Sequence, residues 1–167
     1  MPKRDHGPLA VSWFGSSAPT AGPTGTATTW VGNVLKFTQN GRVAGMRNYM
    51  GTSGGDSVLM AFMDRNLSPP KYVALKGGWP IAGLPASWQQ VWFRPWVRIN
   101  TAHTYWVLAI YIGGFFYRNT NALSGGPVTH SGIQMVNGFQ TTSLDLPGTS
   151  PTVNANVNSV DVLFYPD

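Results

Sequence analysis

Not one of the 167 residues is a glutamate, and only 10% carry any charge. A typical soluble domain is about 25% charged. Helices that face water need Glu, Lys, Gln and Ala, and this chain instead supplies Gly, Pro, Ser, Thr and Asn, which favour turns and strands. Low charge with 7 Trp, 8 Phe and 6 Tyr is also the reverse of a disordered composition. The length suits one domain with a buried core. The expected class is all-β.

Short β-like runs recur every 8 to 15 positions or so, separated by turn residues. They are Trp30–Thr38, Arg42–Met50, Ser57–Met63, Lys71–Leu75, Trp88–Ile99, Thr104–Ile112, Phe115–Arg118 and Val157–Tyr165. Asn40-Gly41 between two of them is a hairpin signal. About eight such strands with this punctuation predict an antiparallel β-sandwich or barrel, and no βαβ unit is visible. Residues 1–11, with Lys3 and Arg4 between prolines, read as an N-terminal arm, and residues 12–167 as the β-sandwich domain. The Ser/Ala/Pro/Thr/Gly stretch from Ser16 to Thr29 has the composition of a linker, but Trp13-Phe14 just before it reads as an anchor.

Side-chain parity adds more. Along Gln89–Ile99 the odd positions Val91, Phe93, Val97 and Ile99 are apolar and belong in the core, with Tyr105, Val107 and Phe164. The even positions Trp92, Arg94, Trp96 and Arg98 form an alternating stripe on the opposite face. Trp and Arg are enriched at binding hot spots, so the stripe is a candidate contact surface. The bland alternative is Arg–indole stacking on an outer sheet face. Thr104–Ile112 and Ser57–Met63 are apolar on both faces, so their second face needs a cover: the N-terminal segment, a loop or another chain.

Chemistry finds little purchase. Without Cys there is no disulfide or thiolate site. His6, His103 and His130 lack metal-ligand spacing, and no cofactor motif is present. Gly51-Thr52-Ser53-Gly54-Gly55 fits the nucleophile-elbow pattern, but a strand-like run follows where that motif needs a helix. The six aspartates are scattered, and catalysis has no positive evidence. The net charge of +5 is dispersed, unlike a nucleic-acid footprint. The longest apolar run, Tyr105 to Ile112, is far short of the ~20 residues of a membrane span. The opening residues lack the apolar stretch of a signal peptide.

Several stretches together resemble the DUF4082 family, jelly-roll-like modules of secreted bacterial carbohydrate-active and surface proteins and of actinobacterial phage tail proteins. They are Trp13-Phe14-Gly15-Ser16, Val31-Gly32-Asn33-Val34-Leu35-Lys36-Phe37-Thr38, Gly41 to Tyr49, Ser87 to Phe93, Thr101 to Tyr105, and Ser159-Val160-Asp161-Val162-Leu163-Phe164. Trp92, Trp96 and Ala102 depart from the family's pattern, and the two tryptophans create the stripe. The resemblance implies a fold and an extracellular or virion setting, and no catalytic residues.

The expected function is therefore a non-enzymatic structural protein of a bacteriophage virion, a capsid decoration or minor tail protein. Such proteins are made in the host cytoplasm without an export signal. Its expected partners are other virion proteins, copies of itself or host-surface glycans, with no nucleic acid and no membrane. The alternative is a stand-alone carbohydrate-binding module. Candidate partner- or glycan-binding residues are Trp79, Trp92, Arg94, Trp96, Arg98 and Tyr117. Lys3 and Arg4 are candidate arm contacts to a neighbouring chain.

Overall fold

A computed structural model describes residues 9–24, 29–50, 57–67, 71–78, 87–112, 116–141 and 153–167. They form two antiparallel sheets packed face to face, the expected all-β sandwich. The first sheet contains β1 (Ala21–Thr24), β3 (Gly41–Met50), β6 (Ser87–Arg98), β8 (Phe116–Asn119), β12 (Val157–Asn158) and β13 (Val160–Pro166). The second contains β2 (Thr29–Phe37), β4 (Ser57–Asp64), β5 (Lys71–Gly78), β7 (Tyr105–Ile112), β9 (Val128–His130), β10 (Ile133–Thr141) and β11 (Val153–Asn154). In the first sheet β3 is central, flanked by β6 on one side and β13 on the other; the second runs β11-β10-β2-β7-β4-β5.

The core lies between them. Val31, Leu35 and Phe37 of β2 meet Val43, Met46, Val162 and Phe164 of the opposite sheet in one buried cluster. Phe62 stacks on Tyr105 with centroids 5.1 Å apart, and Phe37 meets Phe164 at 4.7 Å. The predicted core residues Phe93, Ile99, Tyr105, Val107 and Phe164 are buried. Val91 and Val97 are partly buried against the same cluster.

A polar joint crosses this core. The Asn33 amide, wholly buried, donates to the carbonyl oxygens of Asn158 at 2.8 Å and Val160 at 2.7 Å. Its Oδ1 accepts the Asn158 backbone N–H at 2.9 Å, while the Asn158 amide donates back to Gly32 and Phe139 carbonyls at 2.8 and 3.0 Å. Every bond links β12 or β13 to the other sheet. Beside it, Gly32 leaves no room for a side chain. A Cβ there would lie 2.5 Å from the Val107 carbonyl oxygen and 2.6 Å from Phe139 Cζ. The Gly32→Ala protein should lose about 1–3 kcal/mol of unfolding free energy in urea titrations.

The structure corrects or extends the sequence reading at four points. Asn40-Gly41 is not a hairpin turn: β2 and β3 do not pair, and the chain passes there from one sheet to the other. The Ser16–Thr29 stretch is not wholly a linker, because β1 pairs with β8 inside it. Strand β10 was not foreseen, although it pairs with β2 over eight registered positions. Finally, the second apolar face of β4 and β7 is covered as expected, and of the alternatives open to it another chain is not required. Trp30, Ala61, Met63, Trp106, Leu108, Ile110 and Phe139 form a second cluster already buried within the single chain. The guanidinium of Arg65 lies 3.9 Å over the Trp106 ring there.

At the N-terminal end, Val11 exchanges two backbone hydrogen bonds with Phe164, at 2.7 and 2.8 Å. The chain is thus already docked on its own sandwich at residue 11, where the arm had been expected to sit on a neighbour. Lys3 and Arg4 lie outside the described residues, as does Gly51–Gly55.

Candidate functional site

The outer face of the first sheet divides into a covered half and an open half. On β3, Arg47 and Tyr49 point outward, opposite Gln90 and Trp88 of β6 and, for Arg47, Asp161 of β13. This half is roofed by the segment after Val11. Phe14 packs on Trp88 at 5.1 Å, and the Trp88 indole N–H donates to the Ser17 carbonyl at 3.0 Å. The roof is pinned from its other side by Trp13, whose ring stacks on His130 at 4.5 Å and whose indole N–H donates to Val128.

Asp161 holds the roof to the sheet. Its Oδ2 accepts the Phe14 N–H at 3.0 Å and lies 3.3 Å from the Arg47 guanidinium; its Oδ1 accepts the Val162 N–H at 2.8 Å. Both charged groups are buried, at 6% and 0% exposure. Burial pushes the Asp161 carboxyl above the ordinary carboxylate range, against the pull of Arg47 and the backbone N–H donors. Burial likewise lowers the Arg47 pKa. The guanidinium also lies 4.0 Å over the Trp88 ring. This is a structural clasp, and its chemistry is consumed internally.

The open half begins at Gly45. A Cβ there would strike the Val91 carbonyl oxygen, so β6 hugs β3 and the sheet surface dips between Leu163 and Trp92, its cross-strand neighbours. A cleft of about 400 Å³, lined among others by Val11, Ser12, Arg47, Gln90 and Leu163, marks the border with the roof. Beyond it the register shifts. Trp92 faces Gly45 and Val97 faces Val43, so Phe93 to Trp96 form a bulge opposite Ala44 alone. Pro95 follows a cis bond within this bulge.

The predicted stripe residues all emerge here. Trp92 is 48% exposed and Trp96 45%, while Arg94 and Arg98 are also exposed. Phe93, between them, is 2% exposed on the core side. The structure adds three residues that parity on one strand could not assign. Tyr165 stacks flat on Trp96, with centroids 4.8 Å apart and planes 5° from parallel. Asp167 pairs with Arg98 at 2.8 Å. Arg42 lies directly between Arg98 and Tyr165 in the cross-strand register.

Tyr117 is not part of this group. It sits on β8 with its ring edge-on to Tyr49 at 5.2 Å, at the covered end of the face. Trp79 falls outside the described residues. One other polar pair stands out: His103 Nδ1 lies 2.7 Å from Asp64 Oδ2. Asp64 Oδ1 also accepts the Asn66 N–H, and Asn66 in turn accepts from Thr104. Among the described residues no hydroxyl is hydrogen-bonded to this imidazole, so the pair ties the end of β4 to the loop before β7. Among the described residues, too, no three His, Asp or Glu side chains converge as metal ligands. No family model and no curated protein matches the chain.

Proposed function

We propose that this protein is a non-enzymatic structural module of a bacteriophage virion, a capsid decoration or minor tail protein. It docks onto the particle through the open half of its outer face. The single observation that supports the reading is the exposure of Trp92 and Trp96, where the other described tryptophans are covered. Trp13, Trp30 and Trp106 are at most 6% exposed, and Trp88 lies under the roof. Two half-exposed indoles on the same face of one strand, four positions apart, expose apolar surface of the kind that soluble proteins keep when it is used. The neighbouring arginines are the usual companions of aromatic anchors at protein interfaces.

A glycan-binding module is the second reading, favoured by the flat Trp96–Tyr165 pair, since aromatic rings stack on sugars. Sedimentation of purified particles through a gradient, followed by protein mass spectrometry, separates the two. The docking reading expects the chain to travel with the particles at fixed stoichiometry. Absence from the particles, together with Trp92- and Trp96-dependent retention on a glycan array, supports the second reading and removes the first.

A further inference from the structure

Building on the docking reading above, we infer that the open face receives an acidic protein surface, and not a second copy of this chain. The inference rests on charge. Arg42 and Arg98 are directly opposed across β3 and β6, and both are exposed. Like charges in directly paired positions cost stability, so this pair works against the isolated fold. Arg94 projects from the same bulge, and among the described residues neither it nor Arg42 has a carboxylate partner.

The counter-charge is scarce throughout the described surface. Of the three described aspartates, Asp161 is sealed in the clasp and Asp64 is buried against His103. Only Asp167 is exposed, and it already serves Arg98. Among side chains, the patch therefore carries three guanidiniums and one carboxylate.

A two-fold contact between copies sets each patch against itself. Each copy would then bring Arg42 and Arg94, without a carboxylate partner among the described residues, beside the Arg98–Asp167 pair. An excess of positive charge would face the same excess across a drying interface, which is unfavourable. A neutral sugar would leave the same guanidiniums without counter-charge. Carboxylates supply that charge in a geometry matched to guanidinium. Among carriers of negative charge, a protein surface offers apolar side chains that enclose an indole, whereas a polyuronate offers only the face of a charged ring and a phosphate backbone neither.

The test uses the full chain and four probes: poly-L-glutamate, a glutamate–tyrosine copolymer, polygalacturonate and duplex DNA. Tryptophan fluorescence and sedimentation velocity give binding and self-association. The copolymer should bind more tightly than poly-L-glutamate, and binding should weaken as salt is raised from about 50 to about 300 mM. The R42Q/R94Q/R98Q protein, checked to melt no lower than the parent, should bind the copolymer roughly tenfold more weakly. W92S/W96S should bring copolymer binding down to the level of poly-L-glutamate. Tighter binding of polygalacturonate or DNA than of the copolymer would overturn the inference. So would an arginine-triple protein that binds like the parent, or a dimer that dissociates on W92S/W96S substitution. The docking reading fails separately, when W92S/W96S changes neither probe binding nor particle association.

Discussion

Asp161→Ala is expected to cost about 3–5 kcal/mol in equilibrium unfolding, the range for removing one partner of a buried ion pair. The substitution strands Arg47, already 6% exposed, and leaves the Phe14 N–H without its acceptor. It should also free the roof. Trp88 and Phe14 would then lose their mutual packing, so near-ultraviolet circular dichroism should change even under conditions where the sheet signal survives. Asp161→Asn should cost less, because its amide oxygen still accepts a hydrogen bond.

The pH dependence of that comparison has a definite direction. Burial raises the Asp161 pKa above its unfolded value, so the folded state holds its proton more tightly. The stability associated with this proton is fully present below the unfolded pKa and is lost as pH rises through the folded one. Wild type should therefore gain on Asp161→Asn as pH is lowered toward the ordinary aspartate range. A difference that shrinks on acidification would mean that Arg47 and the backbone donors outweigh burial.

Asn33→Ala carries the second large effect, about 2–4 kcal/mol. It removes the donor to two buried carbonyls and the acceptor of the Asn158 N–H, and each buried group left unpaired costs roughly 1–3 kcal/mol, with the carbonyls able to relax in part. Because these bonds join the two sheets, the variant should unfold at lower urea with the denaturant slope unchanged. Asn33→Asp keeps the acceptor but loses the amide donors and buries a charge, so it should be no better than alanine. A variant as stable as wild type would show that the joint only decorates a core held by apolar contacts.

The parts of the fold that were legible in the sequence share one property: an uninterrupted run of β-favouring residues bounded by turn residues. Strands β2, β3, β4, β6 and β7 all have it, and Phe93, Val107 and Phe164 sit where parity places them. Strand β10 breaks it. The bulge at Val136 and the Asn137-Gly138 pair shift its faces midway, and Gly138 is there because a Cβ would strike the Asn156 carbonyl. A tertiary contact thus erased the local signal. Asn40-Gly41 misled for the complementary reason. A tight turn residue pair is equally compatible with an arch between sheets, and only the partners of β2 and β3 decide which is formed.

The candidate site was half legible. Parity along β6 separated Trp92, Arg94, Trp96 and Arg98 from the core. It could not show that Tyr165, Arg42 and Asp167 would join them, because those neighbours depend on cross-strand register. Nor could it show that the outer face is roofed at one end. The roof depends on Asp161 reaching Phe14 across 147 residues of sequence. Tyr117 reads as an exposed aromatic by composition, and the same roofed end takes it away from the stripe.

The measurement that bears most directly on the docking face is the affinity of the W92S/W96S protein for the purified particle, taken beside its thermal melt. The account predicts a melt like the parent's and a loss on the order of 2–4 kcal/mol in association, as expected for two aromatic anchors at the centre of an interface. A double variant that melts and binds like the parent would contradict it, and would reduce the stripe to surface packing.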